Sequence, residues 1–290
     1  MNLNTIPRGT LIPVGGNEDK GNDSGESYSL DFIEDGILSH IVRESGGKDA
    51  LIVVIPTASS IPDEVGENYL EAFGKIGCRS VQILDIRSRE DAYLQSAKDL
   101  VHKANCVMFS GGDQSKITDK IGGTPIHHII EKRYREEEGF VIAGTSAGAM
   151  AMSQYMIAGG SSTEAFVKGA VRMYEGLGLI PRLIIDTHFI QRGRFGRIAE
   201  AIAIHPKMIG VGLAEDTGLI IKKCNDITVI GSGMVLIFDG QNISYNNRKH
   251  LEDGTPMTIT DLIVHVLSNG DQFDILRRKV HVLPIEAPFI

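Results

Sequence analysis

The sequence has no surplus of basic residues. Lys and Arg number 29 against 37 Asp and Glu, a formal net charge of −8. That balance excludes a general nucleic-acid binder, because a surface that takes up phosphates is basic. It leaves the substrate open, since a pocket can carry the opposite sign to the whole protein. Cysteine is scarce: Cys78, Cys106 and Cys224 are an odd set with no paired metal-ligand spacing. Each sits in an apolar run, the setting of a reduced core thiol, so a reducing compartment is expected. Long apolar runs are absent as well. Stretches such as Ala50–Ile55 are far too short to cross a bilayer, and Met1–Arg8 carries no apolar segment of signal-peptide length. The expectation is a cytoplasmic protein without a membrane partner. No His, Asp and Glu set clusters at ligand spacing, so neither a metal nor a cofactor is expected.

What is present is an ordinary globular composition: 290 residues, 42% hydrophobic and 23% charged. The length suits one large α/β domain or two small ones. With no repeat, low-complexity tract or linker, one domain over residues 1–290 is expected. The first two-thirds alternates β-branched runs with amphipathic stretches. Strands are predicted at Thr10–Val14, Leu51–Pro56, Val81–Ile86, Cys106–Ser110, Phe140–Ala143 and Leu183–Asp186. Helices are predicted near Ser29–Ser45, Asp63–Ile76, Asp91–Ala104, Pro125–Glu138 and Ala147–Met156. Apolar strands separated by helices point to a mostly parallel sheet covered on both faces. Further on, Ile209–Leu213, Leu219–Lys222, Asp226–Ile230 and Met234–Phe238 read as an antiparallel extension of that sheet, with a late helix around Ile259–Leu267. The polar, Gly-rich Gly16–Gly25 reads as a mobile loop.

In such sheets ligand-binding residues gather at the carboxyl ends of the strands. Several predicted strands end there in small or polar residues: Gly15-Gly16-Asn17, Thr57-Ala58-Ser59, Gly111-Gly112-Asp113-Gln114 and Gly144-Thr145-Ser146. The last opens Gly144-Thr145-Ser146-Ala147-Gly148, a G-x-S-x-G string between a predicted strand and an Ala/Met-rich helix. A sharp strand-to-helix turn puts the serine in a strained conformation, so its neighbours must be small. The helix start offers backbone N–H groups and a positive dipole end to a developing oxyanion. Ser146 is therefore the candidate nucleophile, with the amides of Gly112 and Ala147 as candidate oxyanion donors by position.

A serine nucleophile needs a base, and the base an orienting acid. Of the nine histidines, His188 follows the strand Leu183–Asp186 at its carboxyl end and so faces the rim that carries Ser146. His127 and His128 fall in a predicted surface helix, and His205 at a helix end. For the acid, Glu215, Asp216 and Asp186 all remain open on spacing alone.

Four segments together resemble the cyanophycinase family, serine peptidases related to aspartyl dipeptidase. They are Phe-Ser-Gly-Gly-Asp-Gln (Phe109 to Gln114), Gly-Thr-Ser-Ala-Gly-Ala (from Gly144), Asp-x-His-Phe-x-Gln-Arg-x-Arg-x-Gly-Arg (Asp186 to Arg197) and Glu-Asp-Thr (from Glu215). The likeness runs from about Gly9 to near Gly240. It implies a sheet like that of class I glutamine amidotransferases, with Ser in place of their Cys, and a Ser146, His188, Glu215 triad, favouring Glu215 over Asp216. The implied substrate is cyanophycin, a storage polymer of aspartate with arginine joined to each side-chain carboxyl. The implied products are β-aspartyl-arginine dipeptides, and the implied assembly a homodimer. Arg192, Arg194 and Arg197 would bind carboxylates, which guanidinium groups do bidentately; Gln114, Asp186 and Thr187 would hold other polar parts. Family members typically carry Gln where this chain has Thr187. The bland alternative for the arginines is a solvated helix face paired with Glu200. Competing functions are a dipeptidase of short aspartyl or isoaspartyl peptides and a non-catalytic binding protein on the same fold.

Overall fold

The computed structural model describes residues 6–21, 30–160, 166–284, 286–288 and 290. Residues 22–25 of the expected loop, and Ser29 of the first expected helix, lie outside these.

Five parallel strands form the centre. They are β1 (Thr10–Val14), β2 (Leu51–Ile55), β3 (Ser80–Ile83), β4 (Cys106–Phe109) and β5 (Val141–Thr145), in the spatial order β1-β5-β4-β2-β3. The apolar sequences of the inner strands follow from being covered on both faces: β1, β4 and β5 are buried along their whole length, while the edge strand β3 is only partly buried. The helices between them are α1 (Ile37–Glu44), α2 (Pro62–Ile76), α3 (Gln95–Lys103), α4 (Gln114–Ile121) and α5 (Pro125–Glu136). α2 shows why these residues are helical. Pro62 occupies the first turn, where its missing N–H is harmless; Asp63 and Glu64 face the positive end, and Gly77 closes the helix in the left-handed region at φ 94. Its buried Tyr69, Ala72, Phe73 and Ile76 recur at the helical period and pack on the sheet.

The fold class read from the sequence is borne out, and several details differ. α4 was not anticipated; it is short, yet Asp113 caps it by accepting from Ser115 N at 2.9 Å, and Ile117 and Ile121 bury one face. The helix expected over Ala147–Met156 is α6 (Ala147–Ala151), and the chain then enters a bulged hairpin of β6 (Tyr155–Gly160) and β7 (Val171–Glu175). The reason is tertiary: carbonyls of Ala151, Met152 and Ser153 accept from the amides of Leu177, Ile180 and Gly178 instead of continuing a helix.

The antiparallel extension is divided between two sheets. β10 (Thr217–Lys222) and β11 (Asp226–Gly231) continue the main sheet outward from β1, followed by β16 (Gln272–Asp274) and β17 (Lys279–His281). β8 (Leu183–Asp186), β9 (Ile209–Leu213) and β12 (Val235–Asp239) instead form a second sheet with β15 (Ile263–Leu267). That last strand, with β14 (Ile259–Thr260) pairing β13 (Tyr245–Asn246), replaces the expected late helix. Asp261 breaks any helix there at φ 59, and Ile263–Leu267 pairs along all of β12. α7 (Phe195–Ile204) covers the second sheet and is buried from Gly196 to Ala203. One apolar cluster runs through both sheets, joining Leu11, Val53 and Phe109 to Ile185, Val211 and Val235. Among the described residues no helix is long and apolar enough to cross a membrane.

Candidate active site

β1, β5 and β4 are neighbours, so the loops at their carboxyl ends share one rim. β10 runs antiparallel to β1, which brings the residues before its first position, Glu215 and Asp216, to the same rim. β8 delivers His188 there from the second sheet.

Ser146 stands at the junction of β5 and α6 with φ 49 and ψ −108, a left-handed backbone of the kind stored at functional turns. The turn closes only because its flanks lack side chains. A Cβ on Gly144 would lie 2.7 Å from the Gly148 carbonyl carbon, and one on Gly148 2.4 Å from Phe109 O. Ser146 Oγ is 3.0 Å from His188 Nε2, and His188 Nδ1 is 2.5 Å from Glu215 Oε1. In the latter contact the Nδ1–H donates to the carboxylate, which leaves Nε2 as an acceptor facing the hydroxyl. Of the three acids left open by spacing, only Glu215 meets the imidazole. Asp216 turns away, accepting from Ser232 Oγ at 2.6 Å and Asp19 N at 3.1 Å, and burial pushes its carboxyl up despite those donors.

The segment after β1 ties these loops together. Val14 O accepts from Ser146 N, Gly15 O from His188 N at 2.8 Å, and Gly16 O from Asp216 N at 2.9 Å. Asn17 Nδ2 donates to Glu215 Oε2 at 3.3 Å. Glu18 follows, almost fully buried. Its Oε1 accepts from Tyr69 OH at 2.5 Å and Lys20 Nζ at 2.9 Å, and its Oε2 from Thr145 Oγ1 at 2.5 Å. Burial alone would raise this carboxyl; the Lys20 ammonium and the two hydroxyl donors outweigh it and hold Glu18 below its ordinary range. The sequence marked Gly15-Gly16-Asn17 as a rim segment and Gly16–Gly25 as a mobile loop, with no role for Glu18 or Lys20. The available signal was a Gly-Gly turn at a strand's carboxyl end followed at once by Asn17, Glu18 and Lys20.

Ser146, His188, Gly112, Lys20, Glu18, Tyr69 and Arg192 are among the residues lining a cavity of about 440 Å³. Among the described residues the amides of Gly112 and Ala147 donate to no protein acceptor. Of the six residues expected to hold substrate, only Arg192 lines this cavity. Gln114 donates to Ile157 O at 2.7 Å, joining α4 to β6. Thr187 is fully buried, its hydroxyl on Met150 Sδ at 3.4 Å. Asp186 is fully buried too, with Arg194 Nη1 3.0 Å from its Oδ1 and Arg197 Nε 3.1 Å from its Oδ2. Arg194 also donates to Thr187 O at 2.8 Å. These two arginines are committed inward because α7 packs their side chains onto a buried carboxylate. Burial pushes Asp186 up and Arg197 down, each opposed by the partner's charge. The cluster braces the turn at Thr187 and His188, where His188 has φ 47. Nor is the face of α7 solvated as the alternative reading had it: buried Glu200 accepts from the amides of Gly169 and Val171 and pairs with Arg248.

A family model for peptidase family S51 matches residues 27–229 of the chain. A cyanophycinase from Geminocystis herdmanii is 35% identical over 94% of this chain and 95% of its own length. A cyanophycinase from Nostoc sp. is 38% identical over 84% of this chain and 82% of its own. Among solved structures, a peptidase from an acI-B1 Actinobacterium superposes with TM-score 0.67 at 21% identity, covering 94% of this chain and all of that one. At that identity the likeness speaks for the fold.

Proposed function

This chain belongs to peptidase family S51, and we propose that it is a serine-type exopeptidase that hydrolyses the aspartate backbone of cyanophycin to β-aspartyl-arginine dipeptides. The observation that carries the reading is the Ser146–His188–Glu215 hydrogen-bonded chain at a strained strand-to-helix turn, in a sequence 35–38% identical to cyanophycinases over most of its length.

His188 Nε2 takes the Ser146 proton as Oγ attacks the backbone carbonyl carbon of an aspartyl residue. Glu215 fixes the imidazole and stabilises the imidazolium that forms. The amides of Gly112 and Ala147 receive the oxyanion, helped by the positive end of α6. Collapse of the tetrahedral intermediate breaks the C–N bond, and the leaving amine takes the proton from His188. Water, deprotonated by the same Nε2, then splits the acyl ester and frees Ser146. Arg192 supplies positive charge on the substrate side of the cavity, while Asp186, Arg194 and Arg197 hold the His188 turn behind it. Free thiols at Cys78, Cys106 and Cys224 support work in a reducing cytoplasm, where a homodimer is the expected assembly.

A time course of soluble products from insoluble cyanophycin tests the exopeptidase reading. It predicts the dipeptide as the sole soluble species from the earliest time point. Early release of longer fragments would mean internal cleavage and overturn it.

A further inference from the structure

Lys20 is the second cation of the cavity, beside Arg192, and the mechanism above leaves it without a role. We propose that Lys20, held by the buried carboxylate of Glu18, binds a carboxylate of the substrate; this rests on the peptidase reading of the site and deepens it.

The ammonium is fixed rather than free to wander. Nζ donates to Glu18 Oε1 at 2.9 Å and approaches Glu18 O at 3.4 Å, and it lies 5.1 Å from the centroid of the Tyr69 ring. Tyr69 OH donates in turn to the same Glu18 oxygen, so carboxylate, phenol and ammonium form a closed set. An ammonium has three donors, and Glu18 occupies at most two. The Lys20 side chain keeps 25% of its surface exposed, on the cavity that Ser146 and His188 line, whereas that of Glu18 keeps 1%. A ligand therefore meets the cation and not the anion behind it.

The charge balance points the same way. Lys20 and Arg192 face Glu18 as the one carboxylate among the cavity-lining residues. Arg192 forms no ion pair among the described residues. Both Glu18 oxygens already accept hydrogen bonds, so the pocket does not offer this acid to a substrate guanidinium. What the cavity can take up is a carboxylate, and each unit of the polymer carries one, the α-carboxylate of its arginine. Glu18 also reaches Thr145, the residue before Ser146, so one buried carboxylate sets both the binding cation and the strand end that carries the serine hydroxyl.

The test measures occupancy instead of turnover. Ser146 is labelled with a neutral aryl phosphonate in the presence of increasing β-aspartyl-arginine. Protection is taken as the ratio of labelling rates with and without dipeptide, so a change in intrinsic reactivity divides out. The dipeptide should protect the wild type, and its amidated form should protect at least about tenfold more weakly, the loss expected for a charge-assisted hydrogen bond. Lys20→Met should weaken protection by about tenfold or more, Glu18→Gln should weaken it in the same direction, and Lys20→Arg should retain most of it. Equal protection of Lys20→Met and wild type, equal protection by the amidated dipeptide, or no protection of the wild type would each overturn the proposal. So would a Lys20→Met protein that the phosphonate cannot label, since Lys20 would then serve the fold. If the dipeptide protects through Lys20 but the polymer is not degraded, the polymer reading fails and the Lys20 proposal stands. If the polymer is degraded and protection ignores Lys20, the reverse holds.

Discussion

Gly16→Ala is a sharp probe of the site, because the added methyl group reaches the imidazole directly. A Cβ at this position would lie 2.4 Å from Cε1 and 2.5 Å from Nε2 of His188. Carbon atoms in contact sit about 3.5–4.0 Å apart, so ring and loop must separate by roughly 1 Å. The ring cannot yield freely, since Nδ1 is bound to Glu215 at 2.5 Å and its backbone N to Gly15 O at 2.8 Å. The loop cannot yield freely either, because the carbonyls of Val14, Gly15 and Gly16 hold Ser146, His188 and Asp216. Whichever moves, the 3.0 Å contact between Ser146 Oγ and Nε2 opens beyond hydrogen-bond range. A misplacement of about 1 Å can cost on the order of 10²-fold in rate. The backbone adds a second, separable effect. Gly16 has φ +102, and a side chain there costs roughly 1–2 kcal/mol of stability. Initial rates of dipeptide release from cyanophycin, read beside thermal unfolding, should show kcat/KM down by about 10² with a melting point lower by several degrees. A folded variant whose rate stays within about threefold of wild type would refute the claim that His188 acts from its present position.

Three further outcomes follow from the same structure. Glu215→Gln removes the negative charge that faces Nδ1 and turns one carboxylate oxygen into an amide donor, so the Nδ1–H tautomer and the imidazolium lose their support and kcat should fall by about 10²–10⁴ with KM little changed in steady-state assays; an unchanged kcat would leave His188 without need of its partner. Asp186→Ala strands two inward-facing guanidinium groups and should cost about 3–5 kcal/mol, on the order of 10 °C in melting temperature; an unshifted melting curve would contradict the brace. His40 is buried beside Arg43, and burial followed by that charge lowers it from 6.5 to about 4. The unfolded chain therefore binds more protons between those values, and stability contributed by the neutral ring is complete above pH 6.5 and lost as pH falls toward 4. His40→Gln should flatten the pH dependence of denaturant stability across that window by up to about 3 kcal/mol relative to wild type; parallel curves would show that His40 stays neutral for another reason.

The parallel half of the fold was legible because its inner strands are buried on both faces and announce themselves as apolar runs, as in Leu51–Ile55 and Cys106–Phe109. The rim was legible for a related reason: Gly and polar residues at several strand ends mark where the chain must turn sharply. What the sequence hid was set by contacts distant along the chain. Asp226–Gly231 and Val235–Asp239 look alike as strings, and only their pairing sends the first to the main sheet and the second to β9 and β15. Ile259–Leu267 carries enough apolar residues for either period, and β12 decides for the strand. At the site, an arginine-rich string says that cations are near the histidine and not which way they face. Arg192 opens on the cavity, whereas Arg194, at the start of α7, and Arg197, in its first turn, point inward and pair with Asp186. Glu18 was hidden most completely, because its partners Tyr69 and Thr145 are far away in sequence.

The central claim is that Ser146 is the nucleophile of a peptidase that degrades cyanophycin. Purified wild type and Ser146→Ala, each incubated with the insoluble polymer and assayed for released β-aspartyl-arginine, test it most directly. The account predicts steady release by the wild type and a loss of at least about 10³-fold in the variant. Comparable release by both proteins, or none by a wild type that remains folded, would contradict it.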